Sequence, residues 1–442
     1  MYKTNSHRLL ILLIALILSL SSIIVPILGQ AQIASSYFDK NFGGSESDLG
    51  ESLIETSDGG FLLAGTTESF GARGIDLWLI KTDAEFNMQW NKTYGGEENE
   101  MGGYVIETVD GGYALVGSTS SYGSGEVDLW LIKLESNGIV QWSQNYGGAG
   151  TERASSAIQT LDGGFVIVGT QYPSSSGNFD FLITKTDSNG VEQWSRSYGD
   201  IYWDEATSVI QTDDKGFLIA GWKYTLSSGH GANTDFWLVK TNSEGDIEWS
   251  NAYGGSGMDQ ASCVVQTHDG GYAVFGFSNS YGLKQYDYLL IKINDKGELQ
   301  WSKTYGEPEP NMESDRGYSA IVTSDGGFAL AGYSDSYGEK GDFWLIKTDS
   351  DGVVEETQTF GGDSFECANC VIEISDGEYV LFGYSGSFDE KGDFWVLRTD
   401  LTSLPTSSPE PEIFPTTLVI ASIVIIAVIG IGILVYFKKL RS

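Results

Sequence analysis

Seven acidic residues recur along this 442-residue chain at nearly constant spacing: Asp48, Glu100, Glu152, Asp204, Asp259, Asp315 and Glu366. Each stands ten residues before an aspartate that opens a D-G-G-F-like turn. If the repeat closes on itself, these carboxylates circle one mouth of a channel and form a cation-attracting ring. Calcium is the ion such hard oxygen ligands suit, and no other cofactor is expected. The competing reading is a side chain that accepts hydrogen bonds from its own loop backbone. A residue present in every copy of a repeat serves construction more often than binding, so the second reading is preferred.

Other residues with reactive chemistry offer less. Turns such as Asp187-Ser188-Asn189-Gly190 and Asp349-Ser350-Asp351-Gly352 share the composition of calcium loops but lack their length and their downstream glutamate, so they read as hairpin turns. Cys367 and Cys370 form a lone C-x-x-C without histidine or a second pair, which argues against zinc and leaves a local disulfide as the alternative to small core residues. Cys263 and Cys370 occupy one repeat position, where four other copies have serine. No G-x-S-x-G, H-E-x-x-H or phosphate loop is present, so no catalytic residue is assigned. With 60 acidic residues, a carboxylate pair for glycoside cleavage stays open.

Departures from the repeat carry more information about binding. The connection from Gly221 to Asp235 is the longest of its kind and holds Trp222, Tyr224 and His230; Tyr202 and Trp203 lie in the loop entering the same copy. These five residues are the candidate ligand site, since aromatic faces beside polar groups suit sugars or peptides. Packing of loop aromatics on one another is the plain alternative. A second long loop, from Tyr305 to Asp315, contains Pro308, Pro310 and Met312. Phe70, Tyr122, Tyr281, Tyr337 and Phe388 recur five residues after a strand-ending glycine, and recurrence points to packing.

The elements that position these residues follow from the repeat. The turn aspartates Asp58, Asp110, Asp162, Asp214, Asp269, Asp325 and Asp376 are spaced by 51 to 56 residues, the period of a propeller or solenoid. Each unit predicts four strands. Strand A ends at the turn, and strand B follows it and closes on a glycine. Strand C opens on an aspartate and reads D-L-W-L-I-K in the first copy; strand D reads Q-W-S-x-x-Y-G-G. Strand C is apolar on both faces, as a strand packed between two neighbouring sheets should be. The last unit lacks a strand D, and a spare one stands at the start, Phe38 to Phe42 followed by Gly43-Gly44. Pairing the two closes a ring of seven four-stranded blades without an exposed edge. In the sixth copy Glu356 replaces the tryptophan of strand D, which predicts looser packing there.

The run S-Y-G-S-G-E-V-D-L-W-L-I-K-L-E-S-N-G-I-V-Q-W-S-Q-N-Y-G-G, from Ser121 to Gly148, resembles the SBBP-type seven-bladed β-propeller repeats of secreted or surface prokaryotic proteins. The likeness spans residues 36–400. It implies an all-β propeller closed by the N-terminal strand and implies little about function, since that family is defined by architecture.

The ends predict a membrane protein. Lys3 and Arg8 precede an uncharged run and a small-x-small site, so residues 1–31 read as a signal peptide or an uncleaved anchor. Residues 401–417 form a Pro/Ser/Thr linker. Residues 418–437 are charge-free and long enough to cross a bilayer, and the basic tail 438–442 places the C-terminus in the cytoplasm. Five of the 25 basic residues lie outside the two hydrophobic runs, leaving 20 against 60 acidic residues between those runs. So negative a surface excludes nucleic acid as a partner. The expected function is a cell-surface recognition or adhesion module that binds an extracellular glycan, peptide or protein through the loops facing away from the membrane. The alternatives are a hydrolase acting on polysaccharide and the ectodomain subunit of a membrane complex.

Overall fold

The computed structural model describes residues 37–401, apart from 174–177, 228–230, 282–284, 307–313, 338–339, 376 and 389. The expected signal, the membrane span and its tail, and the linker beyond Leu401 lie outside the described residues. So do His230, Pro308, Pro310, Met312 and the turn aspartate Asp376. Among the described residues no helix is long and apolar enough to cross a membrane.

The chain folds into seven four-stranded antiparallel sheets, each running A-B-C-D outward from the ring centre. In blade one these strands are Asp48–Glu55, Phe61–Thr67, Asp76–Thr82 and Met88–Tyr94. Strand A of each blade touches strand A of both neighbours, from blade one round to blade seven and back. Strands B and C of blade one are buried at every residue because both faces of the blade are covered. Each apolar cluster is shared by two adjacent blades; Leu62, Leu79, Leu115 and Ile132 join blades one and two. Full burial of such a side chain contributes about 1.5–3 kcal/mol, so the ring holds together through its junctions.

In blades one to six the turn aspartates have a partner that periodicity alone did not reveal. The lysine that ends the D-L-W-L-I-K run is buried and pairs with the turn aspartate of its own blade, as in Lys81 Nζ to Asp58 at 2.9 Å and Lys133 Nζ to Asp110 at 3.0 Å. The same Nζ donates to the carbonyl oxygen of the next residue, Thr82 in blade one. A buried ammonium is tolerable only when its protons are taken up in this way.

The ring closes as expected. The N-terminal strand Phe38–Phe42 runs antiparallel to strand C of blade seven, Asp393–Asp400, with Phe38 opposite Arg398 and Phe42 opposite Phe394. The Glu356 substitution has a cause other than loose packing. In blades one to five the strand D tyrosine donates its hydroxyl to the C–D turn glycine of the next blade; Tyr94 reaches the Gly138 oxygen at 2.8 Å and Tyr305 the Gly352 oxygen at 2.9 Å. The strand D tryptophan lies under that same glycine. Blade seven has no C–D turn, because its strand D comes from the other end of the chain. Blade six therefore has neither acceptor nor glycine to cover, and carries Glu356 and Phe360 instead. Tyr37 packs edge-on against Phe360 at 5.2 Å.

Candidate functional site

Every strand A carries a β-bulge two residues after its ring carboxylate, as between Gly50 and Ser52 in blade one and between Gly317 and Ser319 in blade six. A bulge leaves one residue unpaired and re-aims its side chain. Here six of the bulged residues, Glu51, Ser155, Thr207, Ser262, Tyr318 and Asn369, line a cavity of about 390 Å³ between the inner strands. In blade two the bulged residue is Gly103, which lies against the backbone of Gly65, and the next residue, Tyr104, faces the cavity.

The rest of the wall comes from cross-strand pairs one step nearer the B–C loops. Glu205 opposes Trp222, and Gln260 opposes Phe277; all four line the cavity, with Arg316 beside them. The strand B member of these pairs is the residue after the closing glycine. It is Thr66, Ser118 and Thr170 in blades one to three, then Trp222, Phe277, Tyr333 and Tyr384 in blades four to seven. One half of the ring is thus small and polar at this level and the other half is aromatic. From Phe277 onward the aromatic half is continuous: Phe277 contacts Tyr318 at 6.4 Å, Tyr318 contacts Tyr333 at 6.2 Å, and Phe365 bridges Tyr333 and Tyr384. The Arg316 guanidinium lies 5.1 Å from the Phe277 ring and 4.6 Å from that of Tyr286.

The charges in this cavity are not matched in pairs. Burial pushes the Glu51 carboxyl up to about 7. Burial also raises Glu205, and the positive charge of Arg153 partly offsets it. Both carboxylates act on Tyr104, whose phenol is pushed far above its ordinary range, first by burial and then by these two charges. A carboxyl held near neutrality inside a cleft is a feature of functional sites.

The four described candidates do not form one cluster. Trp222 lines the cavity, while Tyr202 and Tyr224 stack on each other at 5.6 Å. Trp203 packs edge-on against Phe179 at 5.4 Å, and Phe179 meets Tyr172, so Trp203 belongs to the junction with blade three. His230 is outside the described residues. The connection holding it is not a plain loop: strands B and C of blade four run on as Phe217–Ser227 and Gly231–Thr241, paired out to Ser227 opposite Gly231.

The seven ring carboxylates, Asp48, Glu100, Glu152, Asp204, Asp259, Asp315 and Glu366, are each 1% exposed or less. In six of them a backbone N–H four residues earlier donates to the carboxylate, at 2.7 to 3.2 Å. The B–C loop of the same blade supplies further donors: Ser69 to Asp48 at 2.8 Å, Thr119 to Glu100 at 2.6 Å, Ser336 to Asp315 at 2.9 Å and Ser387 to Glu366 at 2.6 Å. Asp48, Glu100, Asp259 and Glu366 each tie the incoming D–A loop to their own B–C loop. Glycine is required beside them; a Cβ on Gly95 would strike Asp76 and Glu100 together. Among the described residues no group of three or more His, Cys, Asp or Glu converges as a metal ion would need.

Four of the five loop aromatics pack on the strand C tryptophan of their own blade, as in Phe70 on Trp78 at 5.0 Å and Tyr337 on Trp344 at 4.9 Å. Tyr281, whose blade has Leu289 there, donates its hydroxyl to the Gly254 oxygen. All three cysteines are free, so the disulfide alternative does not hold. Cys263 and Cys370 each donate to a carbonyl of the next blade, Ala320 and Leu53, both at 3.5 Å. In other blades the serine at this position accepts a neighbouring N–H, as Ser319 does from Val371 at 3.1 Å. Cys and Ser interchange here because either can staple two inner strands.

No family model matches the chain, and no curated protein sequence matches it. Solved structures show the fold alone. A protein of unknown function from Dyadobacter fermentans is similar at 10% identity and TM-score 0.46, covering 82% of this chain and 98% of that one. The WD40 domain of Neurospora crassa Pan2 is similar at 9% identity and TM-score 0.46, covering 83% and 97%. A puromycin hydrolase variant gives 12% identity and TM-score 0.50, covering 77% of this chain and 51% of that chain, about half its length.

Proposed function

We propose that the propeller is a recognition module that takes its ligand at the central cavity, on the side of the B–C and D–A loops. The observation that carries this reading is the change at one repeat position from Thr66, Ser118 and Thr170 to Trp222, Phe277, Tyr333 and Tyr384. A residue that only built the blade would not divide the ring in half. Aromatic faces beside a few charged groups suit a saccharide or a peptide side chain. Membership of the SBBP-type family, display at a cell surface through residues 1–31 and 418–437, and an extracellular partner are part of the same proposal and rest on the sequence. The test is a glycan and peptide array probed with the full-length chain and with Trp222→Ala. Ligands lost on that change support the reading; ligands that bind both proteins equally place recognition elsewhere.

A hydrolase is the second reading. Two carboxylates, Glu51 and Glu205, line one cavity, and the first is held near neutrality by burial, as a general acid would be. Release of reducing sugar from a polysaccharide panel, lost in both Glu51→Gln and Glu205→Gln, would favour it over simple binding.

A further inference from the structure

We infer that the central cavity recognises a primary ammonium group, with Glu51 and Glu205 as its counter-charges and the Trp222–Phe277 side of the wall as its aromatic face. The inference rests on the reading of the cavity as a recognition site and adds the chemistry of the ligand.

Three observations converge on it. Neither Glu51 nor Glu205 makes a hydrogen bond or a close ion pair with any described residue, although both face the cavity. Each of the seven ring carboxylates nearby accepts at least one hydrogen bond, which neither Glu51 nor Glu205 does. Burial raises both, the response of a carboxylate that has lost water; the charge of Arg153 offsets it in part at Glu205, and no cation offsets it at Glu51. A ligand ammonium would supply the missing positive charge.

The aromatic half of the ring fits the same group. Trp222 and Phe277 line the cavity beside Glu205, and the face of an aromatic ring attracts a cation. Combined carboxylate and aromatic walls select an ammonium over a neutral hydroxyl. An anionic ligand is the opposite case and fits less well. The one arginine of the cavity wall, Arg316, is already stacked over Phe277 and Tyr286, although its buried Nε has no acceptor. A net charge of −35 also repels anions before they arrive.

A primary ammonium reaches such a site from two sources, the N-terminus of a peptide or an amino sugar. Calorimetric titration of the full-length chain separates them. The probes are Ala-Ala and its N-acetyl form, glucosamine and N-acetylglucosamine, glucuronate, and calcium chloride alone. The expected result is binding of at least one free amine, with its acetylated form at least tenfold weaker. Glu51→Gln and Glu205→Gln should each weaken the amine at least tenfold. Which amine binds identifies the source. The acetylated comparison uses the unaltered protein, so it decides the matter even if a glutamine variant fails to fold. Equal binding of acetylated and free forms overturns the ammonium assignment. So does glucuronate or calcium binding in its place. If those ligands are nonetheless lost in Trp222→Ala, the cavity stands as a recognition site and only its chemistry changes. Probes bound equally by Trp222→Ala, or no binding by any probe, overturn both.

Discussion

The rings of Phe38 and Phe86 stack at the junction that closes the propeller, 6.0 Å apart and within 17° of parallel. At the five junctions between blades one and six the corresponding contact is a tyrosine hydroxyl on a turn-glycine carbonyl, with a tryptophan beneath. The closing junction replaces all three residues: Phe42 for tyrosine, Phe38 for tryptophan and Phe86 for glycine. Phe86 adopts φ of 55° to fill the glycine position, and is fully buried against Phe61. A non-glycine residue in that region costs about 1–2 kcal/mol, so burial of the ring must exceed this. Phe86→Gly relieves the strain and loses the packing. Truncating a buried Phe typically costs about 3–5 kcal/mol, so a net destabilisation of about 2 kcal/mol is expected in urea denaturation. Deletion of residues 37–42 should be worse, exposing the edge of strand C in blade seven and producing aggregates by light scattering.

Lys215 offers the reverse experiment. It occupies the first glycine position of its A–B turn at φ of 69°, where six other turns of the sequence have glycine. Lys215→Gly should stabilise the protein by about 1 kcal/mol, read as a rise in denaturation midpoint at unchanged slope.

Acid sensitivity should come from the A–B turns. Asp58 and Asp110 are held at about 2, first by the hydroxyls of Thr56 and Thr108 and then by Lys81 and Lys133. A carboxyl depressed on folding stabilises above its unfolded value near 4 and loses that contribution as pH falls toward about 2. Melting temperature should therefore drop steeply between about pH 4 and pH 2, with a shallower drop in Asp110→Asn.

Asp204 and Asp287 carry the opposite sign. Burial, reinforced at Asp287 by the charge of Asp315, lifts both to about 6. A carboxyl raised on folding destabilises the native state when ionised, and protonation relieves this. Between about pH 6 and pH 4 stability should rise as pH falls. Asp287→Asn should flatten that part of the profile; an unchanged slope would assign it to other groups.

Two tryptophans expected to act together should separate. Trp222→Ala should reduce ligand capture, since its ring lines the cavity, whereas Trp203→Ala removes a contact with Phe179. Binding lost in both variants alike would return the site to the loops. Capture of an ammonium ligand should also weaken below about pH 7, as Glu51 takes up a proton. Burial sets this titration; Tyr104, Cys367 and Tyr384 are the titratable groups that feel the Glu51 charge, and Glu205 and Arg316 line the same cavity.

The ring was legible because a repeated D-G-G turn, a strand-closing glycine and a spare first strand admit few other arrangements. Trp222 was legible as an irregularity of its blade. Its partners were not. Glu51 and Tyr318 reach the cavity only because the bulge turns them out of strand register, and a bulge leaves no mark in an alternation of side chains. The half-ring of aromatics was visible one residue after each strand-closing glycine, a column that had to be read down the seven copies. Glu356 read as a defect because its cause lies at the other end of the chain, in the turn that blade seven lacks.

The pairing of Phe38 with Arg398 puts the chain's entry into the ring and its exit side by side, at the same end of two antiparallel strands. Tension applied between these two points would not load all the backbone bonds of that pair at once. It would part them singly, from Phe38 toward Phe42, as a zipper opens. The propeller should therefore resist heat far better than pulling, and its first mechanical failure should be release of the closing strand at low force.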